Sequence, residues 1–178
     1  MRVLVLGLGN VLMEDEGVGV RAVELLESRY RLPPQVEVID GGTTGTELLE
    51  PMRNVDYLIV ADAVNTGAPP GTLVRLTGAE IPAFFQCKLS NHQLGLSDLL
   101  AVLTVTGESP KAVTIIGMVP HSLNNTLGLT PATLERLEQM VEMLVAELRR
   151  IGVEAELRPA PLPCFWAEQT RSEASACA

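Results

Sequence analysis

Residues 3–8, VLVLGL, form a nearly unbroken apolar run that ends in Gly7-Leu8-Gly9-Asn10. A short continuous run closed by glycines is the pattern of a central parallel strand entering a tight turn, since such a strand is covered on both faces. The period then changes. Val18, Ala22, Val23, Leu25, Leu26 and Tyr30 recur at helical spacing until Pro33-Pro34, which predicts a first helix near Gly17 to Tyr30. Val36 to Ile39 predicts a second strand; Gly41, Gly42 and Gly45 break it, and Thr44-x-x-Glu47 has the form of a capping box opening a short helix. Tyr57 to Ala61 and Thr72 to Leu76 predict further strands on either side of the turn-rich stretch Asn65 to Gly71.

A second capping-box pattern, Ser90-x-x-Gln93, precedes a stripe of Leu96, Leu99, Leu100 and Leu103, and predicts a helix that holds His92 in its first turn. Ala112 to Val119 reads as a buried strand. Thr130-Pro131 then opens the clearest helix of the chain, with Leu134, Leu137, Val141, Leu144, Leu148 and Ile151 inward. Arg149 and Arg150 suit the negative end of its dipole, and Gly152 fits the cap. Val153 to Leu157 reads as an edge strand. Beyond Arg158, PAPLP and EQTRSEASACA carry too little patterned apolar content to fold alone, with Phe165 and Trp166 the candidate anchors. Alternating strands and helices predict an α/β fold: one three-layer α/β/α domain with a mostly parallel twisted sheet over residues 1–157, then a Pro-rich, polar, partly disordered tail over 158–178.

Composition narrows the function classes. At 178 residues and 47% hydrophobic content the chain suits one sizeable core. Its 22 acidic against 13 basic residues give a net charge of −9, which opposes a surface built to neutralise phosphates, so no nucleic-acid partner is expected. No apolar run approaches the ~20 residues needed to cross a bilayer. The Gly-rich start turns acidic at Glu14 instead of reaching a small-residue cleavage site, so a cytoplasmic protein without a membrane partner is expected. Cys87, Cys164 and Cys177 contain no CxxC pair, which argues against both a disulfide framework and a zinc ribbon.

Three polar residues stand just beyond segments that read as buried: Glu16, Asp62 and His92. In an open α/β sheet the carboxyl ends of parallel strands share one edge, where residues distant in sequence converge. Two carboxylates and an imidazole would suit a divalent transition metal. Each residue alone has a plainer reading. Asp62 could be a turn former, His92 a surface residue at a helix start, and His121, in Val119-Pro120-His121, has an equal claim because it too follows a strand. Glu14 and Asp15 read as acids favouring a helix N-terminus. The GLGNVL turn invites a dinucleotide, but Leu12 stands where the third glycine belongs and Glu14-Asp15-Glu16 would repel phosphates. Cys87, five residues from His92, reads as a core thiol rather than a nucleophile. Neither HExxH nor G-x-S-x-G occurs.

Four ordered blocks carry a more specific signal: LGLGNVLMEDEGVGVR near the start, VIDGGTTGTELL at Val38 to Leu49, IVADAV at Ile59 to Val64, and KLSNHQLGLSDLL at Lys88 to Leu100. Together they resemble the maturation endopeptidases of nickel-iron hydrogenases, and the likeness extends through GLTP to about Ala155. The resemblance implies a phosphorylase/hydrolase-like α/β fold and a peptidase, grouped as aspartic-type, that removes a C-terminal extension from the nickel-loaded large-subunit precursor. It implies Glu16, Asp62 and His92 as nickel ligands, the nickel arriving with the precursor, and Glu16 or Asp62 as catalytic carboxylate. Asp40, Gly41, Gly42 and Thr43 match the glycine-rich loop associated with substrate recognition, whereas His121 matches no ligand position. A monomer is expected. Two alternatives stand beside this reading: a nickel-dependent chaperone that binds the precursor without cutting it, and a hydrolase resembling peptidyl-tRNA hydrolase. The second would need an early histidine and a basic groove, neither of which this chain has.

Overall fold

The structure, a computed structural model, describes residues 1–43, 45–82 and 95–176, with side chains through 171. Five strands, β1 (Val3–Leu8), β3 (Val36–Gly42), β4 (Tyr57–Ala63), β5 (Leu73–Thr77) and β6 (Ala112–Met118), form one sheet in the order β3-β1-β4-β6-β5. The first four are mutually parallel, and β5 runs antiparallel to β6 at the edge. The continuous apolar runs have a direct cause, since alternate residues of each strand enter two separate cores. Leu4, Leu6, Leu58, Val60 and Ile115 pack on one face with Leu48, Met52, Leu99 and Leu103. Val3, Val5, Ile59, Ala61, Ile116 and Met118 pack on the other with Val23, Leu26, Met140, Val141 and Leu144.

The second face is covered by α1 (Val18–Arg29) and α4 (Pro131–Arg150), the first by the short α2 (Leu49–Met52) and by α3 (Leu96–Thr106). This is the three-layer arrangement that the alternating pattern predicts. In α4 the Thr130 side chain accepts a hydrogen bond from the Thr133 amide at the N-cap, Pro131 follows, and Gly152, at φ +80°, closes the end. Leu134, expected inward, is 44% exposed; the buried stripe runs instead through Thr133, Leu137, Met140, Val141, Leu144 and Leu148. Ile151 is half-buried against the core.

Two expectations are corrected. Residues 153–157 add no strand to the main sheet. Instead β7 (Glu156–Leu157) pairs antiparallel with β2 (Tyr30–Arg31) in a separate two-stranded ladder, because α4 returns the chain beside the end of α1. The described part of the helix expected from Ser90 is α3, Leu96–Thr106. Gly95 is the N-cap of α3, with the Asp98 carboxylate accepting from the Gly95 amide at 2.9 Å, and His92 lies outside the described residues. The two capping-box residues Ser90 and Gln93, and Thr44 of the earlier box, lie outside the described residues. The C-terminal segment also contains a helix that the apolar pattern does not announce, α5 (Phe165–Ala176).

The order of the strands locates a crevice. From β1 the chain moves to β3 on one side and then crosses to β4 on the other, so the carboxyl ends of β1 and β4 flank the topological switch point of the sheet.

Candidate functional site

Glu16 reaches the switch point through a loop whose every turn has a local cause. After β1, Gly9 adopts φ +126°, and a Cβ at this position would collide with the Glu16 carbonyl oxygen. Asn10 accepts a hydrogen bond from the Leu12 amide through its side-chain oxygen at 3.0 Å, an Asx turn. A 3-10 turn, Glu14–Gly17, then leads into α1 and packs directly against β4. Gly19, the second residue of α1, lies so close to the sheet that a Cβ would strike the carbonyl oxygens of Ala61 and Leu8. Small residues thus bring the start of α1 down onto the ends of both strands.

Asp62 is contributed by β4, one residue from its carboxyl end, where it pairs in register with Gly117 of β6. It is only 3% exposed. A carboxylate held this deeply at the rim of a sheet is unusual for a turn former, which would face solvent. Glu16, on the neighbouring turn, is half-buried. The two carboxylates therefore come from the adjacent elements that border the switch-point crevice, and groups of this kind can accept a proton from water or bind a divalent cation. His92, the third expected ligand, lies outside the described residues. Among the described residues no three His, Cys, Asp or Glu side chains gather closely enough to hold a metal ion.

Asp15 has a different role from its neighbours and from the helix-capping role expected of it. It is fully buried, and its carboxylate receives the amides of Thr130 (2.8 Å), His121 (2.9 Å) and Ser122 (3.2 Å) together with the Thr130 hydroxyl. Burial alone would raise its pKa; the bonds from Thr130, Thr133 and His121 outweigh that and hold it below the ordinary aspartate value. Asp15 thereby fastens the turn that carries Glu16 to the loop between β6 and α4. His121 belongs to this clamp, its Nδ1 lying 2.9 Å from the Thr133 hydroxyl. Glu14, at φ +46°, is pinned to the same loop, its amide donating to the Thr126 carbonyl and its carboxylate accepting from the Asn124 amide.

The Asp40-Gly41-Gly42-Thr43 segment closes the other side of β1. Gly9 donates its amide to the Gly42 carbonyl at 2.9 Å, and the β1–β3 register shifts between Gly7 and Leu8, where the partner changes from Asp40 to Gly42. Asp40 and Thr43 are exposed while Gly41 is buried. The tail reaches this segment: the Trp166 indole N–H donates to Asp40 Oδ2 at 3.0 Å. Neither this contact nor the Asp15 clamp leaves a local signal in the sequence, since their partners lie more than a hundred residues away. A separate cavity of about 750 Å³ opens at the opposite edge of the sheet, where Tyr57 and Ala112 begin β4 and β6, and takes no part in this site.

A mostly parallel sheet with helices on both faces defines a three-layer α/β domain, and Glu16 and Asp62 stand on elements that border its switch point. Comparison with known proteins makes this specific. A family model described as hydrogenase maturation protease matches residues 20–147, a span that includes Asp62 and His92 and begins just after Glu16. The hydrogenase 2 maturation protease of Escherichia coli K12 is 52% identical over 161 residues, covering 90% of this chain and 98% of that protein. The hydrogenase expression/formation protein HupD of Thiocapsa roseopersicina is 42% identical over 158 residues, covering 88% and 72%. Among solved structures, the hydrogenase maturating endopeptidase HybD from E. coli superimposes with a TM-score of 0.84 at 52% identity, covering 89% of this chain and 98% of that one. The more distant HybD of Thermococcus kodakarensis gives 0.66 at 26% identity, covering 81% and 97%. The chain belongs to the hydrogenase maturation protease family, and it is a peptidase.

Proposed function

We propose that this protease makes a single cut that removes the C-terminal extension of a nickel-iron hydrogenase large-subunit precursor, in the cytoplasm and as a monomer, and that it selects the precursor by the nickel already bound there. The observation that carries the reading is the placement of a buried carboxylate, Asp62, at the carboxyl end of β4, with the turn bearing Glu16 packed against the same strand. Glu16, Asp62 and His92 would complete the coordination of a nickel ion that the precursor holds through its own thiolates. Oxygen and nitrogen ligands are suited to filling vacant positions and poorly suited to stripping a metal from softer sulfur, so the contact recognises the metal without removing it.

Hydrolysis then needs a group that takes a proton from the attacking water and returns one to the departing amine. Asp62 or Glu16 supplies that carboxylate, and nickel carried by the substrate polarises the scissile carbonyl. Asp40, Gly41, Gly42 and Thr43 flank β1 beside the crevice and would contact the peptide on either side of the bond.

The test is cleavage of purified precursor, with and without loaded nickel, read as a mass shift. The expected result is cleavage of the nickel-loaded form alone, lost in Glu16→Gln, Asp62→Asn and His92→Ala, and retained in His121→Ala, which keeps the backbone amide bond to Asp15. Nickel-dependent binding without any cleavage would overturn the protease assignment for this precursor. Cleavage that is indifferent to nickel would overturn the recognition mechanism.

A further inference from the structure

Residues 156–170 run back along α1 from its carboxyl end toward the site. At the start of this path the Arg158 amide donates to the Arg29 carbonyl, and its side-chain Nε to the carbonyls of Glu27 and Tyr30, so Arg158 closes the end of α1. Farther along, the Leu162 amide donates to the Ser28 carbonyl while the Ser28 hydroxyl donates to the Leu162 carbonyl. At the start of α5 the Glu24 carboxylate, projecting from α1, accepts from the Trp166 amide at 2.8 Å. The indole N–H of the same residue reaches Asp40 on β3 at 3.0 Å. Phe165 stacks edge-on against the indole with centroids 5.0 Å apart, and Thr170 packs on Gly128. Trp166 is thus held at its backbone by α1 and by its neighbours on the tail, leaving the ring directed at one exposed carboxylate of the recognition segment.

We infer that Trp166 is a positioning residue for precursor binding: its indole N–H fixes the orientation of the Asp40 carboxylate so that the recognition segment meets the precursor preformed. An aspartate on the surface samples several rotamers, and a ligand that needs one of them loses affinity by the fraction in which it is populated. A donor held in place by a second element reduces that loss before the ligand arrives. The indole is suited to this because it donates a single hydrogen bond and titrates nowhere near neutral pH. Asp40 keeps its second carboxylate oxygen for the incoming chain. The inference rests on the proposed function, since it takes the precursor as the ligand.

The experiment measures binding and turnover separately. Trp166 is the chain's single tryptophan, so its own fluorescence reports whether the contact exists in solution. Asp40→Ala should alter the emission of Trp166 in the free protein. Nickel-loaded precursor is then titrated into the unmodified protein, Trp166→Phe, Asp40→Ala and the double variant, with affinity read by calorimetry and the saturating single-turnover rate by mass shift. Trp166→Phe keeps an aromatic side chain and removes the N–H donor. It should weaken binding about fivefold, the effect of one exposed charge-assisted hydrogen bond, and leave the saturating rate unchanged. In the Asp40→Ala background the same substitution should have no further effect.

Unchanged affinity in Trp166→Phe, tighter binding, or a fivefold loss that persists in the Asp40→Ala background each overturns the inference, as does a lowered saturating rate. Tighter binding would instead make the tail a competitor for the recognition segment. Failure of the unmodified protein to bind precursor at all refutes the proposed function, and the inference with it. Normal binding by that protein with no effect of Trp166→Phe refutes the inference alone.

Discussion

Asp15 sits between Glu14 and Glu16 and does something neither of them can do, so Asp15→Asn is a sharp test of how the site is held. The side chains have nearly the same shape, and the difference is confined to one oxygen becoming an NH2 group. The hydrogen-bonding groups around Asp15 donate: the amides of Thr130, His121 and Ser122 and the hydroxyls of Thr130 and Thr133. With the asparagine oxygen in the Oδ2 position, the His121 and Ser122 amides keep an acceptor, but the Thr130 amide then faces an NH2. The opposite orientation is worse, because it abandons two amides. A buried donor left without a partner costs about 1–3 kcal/mol, and the surviving bonds lose the strengthening of a full negative charge. Together these predict a loss of about 3 kcal/mol, which for a chain of this size lowers the melting temperature by on the order of 10 °C.

The pH dependence checks the electrostatic part. The folded pKa of Asp15 lies below the ordinary aspartate value, so its ionised form contributes stability that is fully present above that ordinary value and is lost as pH falls through the folded pKa. The stability gap between the unmodified protein and Asp15→Asn should therefore stay constant from neutrality to about pH 4 and narrow below it, because the protonated acid is itself neutral. Equilibrium urea unfolding at a series of pH values measures this. A gap under about 0.5 kcal/mol at pH 7 would be the ordinary effect of a surface substitution, and would refute the clamp. A large gap that fails to narrow in acid would show that shape and not charge is responsible.

Two further substitutions probe the frame around the site. Glu147 on α4 is 4% exposed and accepts from Arg75 Nε at 2.6 Å, Arg75 Nη2 at 2.9 Å and the Thr114 hydroxyl at 2.9 Å; burial would raise its pKa, but Arg75 and Thr114 bring it below the ordinary glutamate value. Glu147→Gln should cost about 2 kcal/mol in urea unfolding at pH 7, a difference that fades as pH falls below about 4.5, while precursor cleavage is unaffected because the residue lies at the opposite edge of the sheet. Gly19→Ala should cost at least about 1–3 kcal/mol through overpacking against the Ala61 and Leu8 carbonyls. Unlike Glu147→Gln it should also slow cleavage at temperatures where the protein stays folded, since relief of the clash moves the start of α1 away from Asp62; full activity in a folded Gly19→Ala protein would refute that coupling.

The parts of the fold legible in the sequence are those set by local burial. VLVLGL, YLIVADA and AVTIIGM read as strands because each is covered on both faces, and Thr130-Pro131 to Gly152 reads as a helix because cap, stripe and terminator all fall within twenty-odd residues. What escaped depends on distant partners. Whether residues 153–157 join the main sheet is decided by where α4 delivers the chain, and their pairing with Tyr30–Arg31 leaves no mark in their own composition. The tail helix is similar: its apolar content is low, and its fixed points are the Ser28 backbone, the Glu24 carboxylate and Asp40, all supplied by the first quarter of the chain.

The same distinction runs through the site. Asp62 was legible as an acid at the exit of a buried run, and its depth in the structure removes the turn-former reading that sequence left open. Glu14, Asp15 and Glu16 are three adjacent acids that no local rule separates. They are separated by loop 120–130, which takes Asp15 inward through four donors and pins Glu14 through the Thr126 carbonyl and the Asn124 amide. Glu16 is half-buried on the same turn, which packs against β4, and its two neighbours are fixed by residues more than a hundred positions downstream. This arrangement predicts that changes at Thr130, whose hydroxyl bonds Asp15, will act on cleavage through Asp15.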